Sequence, residues 1–208
     1  MKNMSIVGRL VFGFGVLIAI LIVTNVIALY RMATIMDDMN QLVDDRMVKV
    51  NEANKIMESA LANGRALRAL LLVDTAAERD KVKAEVARHR QENSELLGKL
   101  EGQLYTADAK ALAARIKEKR AALQDLYPRY YEAAEKNVGD AKQILFKEFI
   151  PHNDAFVASL KEMIELQEEH MKEAVAADRA AYAQARWVSI ALLVAGLIAA
   201  LVAATWII

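Results

Sequence analysis

Cysteine is missing altogether from these 208 residues. That excludes disulfides, thiolate metal sites and a cysteine nucleophile, and it fits an oxidising compartment as well as a reducing one. Proline occurs only twice and glycine eight times, so the chain has few places to turn. Outside the two ends there are no Val/Ile/Thr runs to build a sheet from. Net charge is absent too, with 27 basic residues against 27 acidic. Setting aside Lys2 and Arg9, which precede the first apolar run, leaves 25 basic against 27 acidic, a net −2 for the middle of the chain. No basic block stands out, so nothing supports a nucleic-acid partner. There is no glycine-rich phosphate loop, no nucleophile elbow and no H-E-x-x-H. No two histidines have ligand spacing, and Glu168 and Glu169 read as a solvated helix face. The expectation is a protein that is not an enzyme and holds no metal or cofactor.

What is present is dominated by Ala, Leu, Glu, Lys, Arg, Gln and Met, the strong helix formers. All-α is the fold class this supports. Two uncharged apolar runs bracket the chain, Leu10 to Tyr30 and Trp187 to Ile208. Each suits the ~20 residues a helix needs to cross a bilayer core. Lys2 and Arg9 on the short N-terminal side argue for a cytoplasmic N-terminus, residues 1–9. The first run is longer than a signal-peptide core, and no small-x-small site precedes Tyr30, so an uncleaved anchor is expected. Trp187 and Trp206 stand near the ends of the second run, where amphipathic rings prefer the interfaces. Two spans, 10–30 and 187–208, then leave residues 31–186 outside the cytoplasm.

The middle reads as four long helices. From Met32 a heptad pattern places Met36, Val43, Val50, Met57, Gly64 and Leu71 in one row. Met32, Met39, Arg46, Ala53, Ala60 and Leu67 form its partner row, with Arg46 out of place. Ile35, Leu42, Ile56 and Leu70 widen the stripe. One helix is expected from inside the membrane to about Val73. Thr75 and Thr106 are candidate N-caps for the second and third helices. The second helix carries Val82, Val86, His89, Asn93, Leu97, Leu100 and Leu104. The third carries Ala109, Leu112, Ile116, Leu123, Leu126 and Tyr130, with a kink at Pro128. Asn137 to Asp140 marks a stop and restart, with Asp140 as cap. The fourth helix passes Pro151, Phe156, Leu160 and Ile164 and flows into the second span. Short connections and two membrane termini imply an antiparallel up-down-up-down four-helix bundle whose first and last helices continue into the spans.

This layout resembles the N-terminal sensory half of bacterial methyl-accepting chemotaxis proteins with a four-helix-bundle ligand domain. The local features that carry it are the opening KNMSIVGRLVFGFGVLIAIL, the segment N-G-R-A-L-R-A-L-L-L late in the first helix, and F-K-E-F-I-P-H-N-D-A-F early in the fourth. The resemblance implies a homodimer in the inner membrane of a bacterium, with a periplasmic domain binding a small molecule. It also implies that a cytoplasmic kinase and adaptor are reached only through a signalling region that does not follow in these residues. An input domain of a membrane kinase or cyclase would share every feature so far, and a structural two-span hairpin without ligand is a third reading.

Arg65 and Arg68 lie three apart and neighbour each other on a helix. A guanidinium fork suits a carboxylate because two parallel N–H···O bonds form together. The resemblance implies that arginines in this stretch hold ligand carboxylates across the dimer interface. The plainer reading is a solvated arginine beside a glutamate. Tyr127 and Tyr131 are one turn apart on a flanking face and offer hydroxyls to a ligand, or simply cover the end of the bundle. Tyr130, on the seam, reads as core. His152, after Pro151 and beside Asn153, joins the candidates because the resemblance places ligand contacts around this proline; a surface histidine is the alternative. His89 and His170 read as ordinary. The expected ligand is a small carboxylate such as an organic acid or amino acid.

Overall fold

The computed structural model describes residues 6–207. Lys2, cited above as a flanking charge, lies outside them, as do the side chains of Arg9 and Trp206. The described residues form helices α1 (Ile6–Gln41), α2 (Met47–Leu70), α3 (Ala76–Gln103), α4 (Ala107–Gln124), α5 (Leu126–Lys136), α6 (Val138–Gln143) and α7 (Ile150–Ile207). Two wider π-helical segments, Leu42–Arg46 and Ile144–Phe149, join α1 to α2 and α6 to α7. There is no strand among them.

The chain divides into two compact units. One, residues 42–171, is the four-helix bundle: the first π segment with α2, then α3, then α4 with α5, then α6 through the early part of α7. Its core is built by α2 residues Ala53, Ile56, Ala60, Leu67 and Leu70, by Val86, Leu97 and Leu100 of α3, by Leu112, Ile116, Leu123 and Tyr130, and by Leu145, Phe149, Phe156, Leu160 and Met163. Full burial of a side chain such as Phe156 or Leu160 contributes about 1.5–3 kcal/mol. Cross-helix ion pairs lie outside this core, including Lys117–Glu101 at 2.9 Å and Arg129–Glu148 at 2.8 Å. Exposed pairs of this kind are worth ~1 kcal/mol or less.

The helix ends follow local chemistry. Thr75 caps α3 in a capping box: its hydroxyl accepts from the Glu78 N–H at 3.3 Å, and Glu78 Oε2 accepts from the Thr75 N–H at 3.2 Å. Thr106 stands at the start of α4 without a side-chain cap bond. The cap expected at Asp140 is at Asn137 instead, whose Oδ1 accepts from the Gly139 N–H at 2.8 Å. Asp140 falls inside the first turn of α6. The interruption expected at Pro128 comes at Asp125, between α4 and α5. A proline ring clashes with the carbonyl four residues earlier, here Gln124, so the helix breaks there and Pro128 sits in the first turn of α5. Pro151 follows the second π segment in the same sense. Its missing N–H removes a helical bond, and a widened turn accommodates the ring. The first bundle helix ends at Leu70, with a turn at Leu71 and Leu72 rather than at Val73.

The heptad rows are also resolved. The row of Ala53, Ala60 and Leu67 is core, together with its neighbours Lys49, Ile56, Asn63 and Leu70. The row of Val50, Met57 and Leu71 is half-buried, and beside it Met47, Leu61 and Arg68 are exposed. Arg46 escapes the seam by reaching α7, where its guanidinium donates to the His170 carbonyl. Lys49, 1 % exposed, is neutralised by Asp45 at 2.7 Å and lies 4.4 Å from the Tyr105 ring centroid.

The other unit holds the two apolar stretches of α1 and α7. Each is long and apolar enough to cross a membrane, and almost none of it is buried. Phe12, Leu21, Leu193, Leu197 and Leu201 are all exposed. Gly196 admits Ile20, since a Cβ there would lie 3.5 Å from the Ile20 Cγ2. Thr24 and Asn25 donate to main-chain carbonyls one turn back, at 2.8 and 2.9 Å. That back-bonding is how polar side chains are tolerated in an apolar helix.

Candidate functional site

Gly64 is buried at the junction of α2 and the first turns of α7. A Cβ placed on it would lie 3.5 Å from Arg68 Nη1 and 3.7 Å from Asn153 Nδ2. The missing side chain therefore leaves a shallow recess about the size of one methyl group, bordered by two side-chain nitrogens. Arg68, one turn further along α2, is exposed. Asn153 is 5 % exposed, and its Oδ1 has no hydrogen-bond partner. A buried amide oxygen left unpaired costs about 1–3 kcal/mol. A guanidinium and an amide N–H side by side suit an oxyanion.

A chain of polar contacts runs from α3 through α2 to α5. Arg88 Nη2 lies 3.1 Å from His89 Nε2. A guanidinium only donates, so that nitrogen accepts and the histidine carries its proton on Nδ1. Nδ1 then donates to Asn63 Oδ1 at 3.2 Å, and Asn63 Nδ2 donates to the Tyr127 hydroxyl at 3.3 Å. Tyr127 is 3 % exposed and meets Phe149 edge to face, with centroids 5.1 Å apart. Burial pushes its hydroxyl up to about 12. Tyr131 is half-buried, 6.4 Å from Tyr127, with Lys83 Nζ 5.6 Å from its ring centroid. Burial also raises its hydroxyl above the ordinary value.

The five residues singled out from the sequence are thus not one cluster. Arg68 lies at the recess. Arg65 turns to a separate groove of about 540 Å³ between α2 and α3, lined also by Lys55, Glu58, Glu85, His89 and Lys99. Tyr127 is an interior residue and Tyr131 borders the same aromatic group. His152 is exposed, and its Nδ1 donates to the Glu148 carbonyl of its own helix at 2.8 Å. Its neighbour Asn153 takes the place at the recess. Asn63 was not singled out, although a polar residue between two core positions of an apolar stripe was a legible signal. Among the described residues no group of acidic or histidine side chains is placed to hold a metal.

The fold defines a class first: an all-helical bundle with polar side chains gathered between its helices. The comparison with known families names the kind: the model described as a four helix bundle sensory module for signal transduction matches residues 3–182. The chain belongs to that family. No curated protein matches it.

Proposed function

We propose that this chain is the sensory part of a bacterial chemoreceptor, binding a small extracytoplasmic carboxylate at the recess formed by Gly64, Arg68 and Asn153. The observation that carries this is the convergence of the Arg68 and Asn153 nitrogens over a glycine. Residues 10–30 and 187–208 are the two spans in this reading, in the inner membrane. The N-terminus is cytoplasmic and residues 31–186 are periplasmic. Family membership and the exposed apolar stretches support it.

The working form is a homodimer. Val50, Met57, Leu61 and Leu71 make an apolar stripe beside Arg68 that the bundle leaves partly open. A second copy packed there closes the recess from the outside. Ligand shifts the receptor between two helix packings by its difference in affinity for them. Asn153 lies on α7, which continues as one helix to Ile207. A displacement of that helix at the recess is therefore carried along it.

The test is a thermal-shift screen of the full chain in lipid nanodiscs against organic acids and amino acids, followed by sedimentation with each hit. A stabilising carboxylate that also favours the dimer supports the reading. A complete screen without a hit, or a hit whose affinity Arg68→Ala leaves unchanged, overturns it.

A further inference from the structure

A second pair of arginines lies on a different face of the bundle, across α3 and α4. Arg90 Nε donates to Gln124 Oε1 at 3.1 Å, its Nη2 donates to the same oxygen, and its guanidinium carbon lies 4.3 Å from the Tyr127 ring centroid. Arg120 Nη2 donates to the main-chain carbonyl of Arg90 at 3.3 Å and to the Ser94 hydroxyl. Both side chains are half-buried, and both are held only by neutral groups.

Four other cations of this bundle reach across to acids on a neighbouring helix. Lys83 pairs with Glu135 at 2.5 Å, Lys117 with Glu101 at 2.9 Å, Arg129 with Glu148 at 2.8 Å, and Arg115 with Glu162. Arg90 and Arg120 have no carboxylate within ion-pair distance among the described residues. Their charges oppose each other instead. Burial, and then the charge of Arg90, push the Arg120 guanidinium below its ordinary value. Two like charges brought together in a half-buried setting favour a counter-charge beside them. Nη1 of each arginine makes no hydrogen bond within the described residues and is free to donate.

We propose that Arg90 and Arg120 bind a small divalent oxyanion of the phosphate or sulfate type on the α3–α4 face, separately from the Arg68 recess. Two charges on the anion offset two guanidiniums, and several oxygens serve both forks at once. The anion bridges two helices, so it favours the state in which they are held together. It is thus a second input to the sensor that does not require the dimer interface.

The experiment uses the full chain in nanodiscs. Thermal unfolding is followed with inorganic phosphate, sodium sulfate and glycerol phosphate, each against sodium chloride of equal ionic strength. Wild-type protein is expected to show a saturable rise in Tm with phosphate and sulfate that chloride does not give. Glycerol phosphate separates a free anion from an esterified one: an equal rise means that an ester is accepted. Arg120→Gln and Arg90→Gln are each expected to weaken binding tenfold or more. Without anion, Arg120→Gln should unfold no earlier than the parent, because a repulsion has gone. Phosphate should also protect Arg90 and Arg120 of the wild-type protein from phenylglyoxal, read by mass spectrometry, which needs no variant to fold. Equal rises with chloride, an undiminished rise in Arg120→Gln, or no protection of either arginine overturns the site.

Discussion

The Tyr130 hydroxyl donates to the main-chain carbonyl of Leu67 at 2.5 Å, across the interior of the bundle. That carbonyl belongs to the last turn of α2, where carbonyls lose their helical partners. The Leu71 N–H, its ordinary partner, donates to Arg68 instead, at 3.2 Å. A tyrosine from the third bundle helix therefore caps the first. Tyr130→Phe keeps the ring and leaves the carbonyl buried without a donor. The expected loss is about 1–3 kcal/mol of stability, read by chemical denaturation. A change within a few tenths of a kcal/mol would mean that water replaces the hydroxyl.

The same aromatic group sets the response to alkali. Tyrosine ordinarily titrates near pH 10, and burial holds Tyr127 up to about 12. The folded state favours the neutral phenol, so this contribution is complete below about pH 10. It is lost as pH rises through about 12. Between those values the slope is at most ~1.4 kcal/mol per pH unit for one such tyrosine. Tyr130 and Tyr131 are raised by burial in the same direction. Unfolding midpoints followed from pH 8 to 12 should be flat and then fall, and Tyr127→Phe should flatten part of the fall. A decline that begins well below pH 10 in both proteins would assign the effect to other groups.

Much of the bundle was legible because helix propensity, few breakers and a seven-residue pattern all agree. Apolar periodicity marks a face, but it does not say which row of that face the neighbours cover. Lys49 and Asn63 occupy the buried row because Asp45 and Tyr127 give them partners from other turns and other helices. Arg65 and Arg68 illustrate the limit of spacing. Three residues turn a helix by ~300°, so the two directions differ by about 60°. That is enough to send Arg65 to the α3 groove and Arg68 to Asn153. Arg90 and Arg120 stand thirty positions apart on two helices, and no local pattern announces that they meet. The cap at Asn137 was missed in favour of Asp140 because both are good cap residues and only backbone geometry separates them.

Orientation in the membrane has a clean probe, since the chain holds no cysteine of its own. Asp108 is half-exposed at the first turn of α4. Asp108→Cys should react with a membrane-impermeant maleimide in spheroplasts without lysis. Labelling that requires lysis would put residues 31–186 on the cytoplasmic side and reverse the proposed topology.

The recess makes the sharpest demand on Arg68. If its guanidinium holds a ligand carboxylate, Arg68→Ala should weaken binding by about 1.5–3 kcal/mol, the range for hydrogen bonds to charged groups. That is roughly a 10- to 150-fold rise in Kd at 1.4 kcal/mol per decade. Stability should change by ~1 kcal/mol or less, because the side chain is exposed. Arg68→Lys should restore little, since an ammonium lacks the planar fork. Arg65→Ala should leave affinity near the parent value, because Arg65 lines the α3 groove. Gly64→Val tests the space itself: branched methyls extend beyond the Cβ position, which already stands 3.5 Å from Arg68 Nη1 and 3.7 Å from Asn153 Nδ2. It should weaken binding at least as much as Arg68→Ala while both donors remain. Calorimetry with one hit from the screen compares all four. Equal losses in Arg65→Ala and Arg68→Ala would place the ligand between the two arginines. Parent-like binding in Gly64→Val would place it away from the recess.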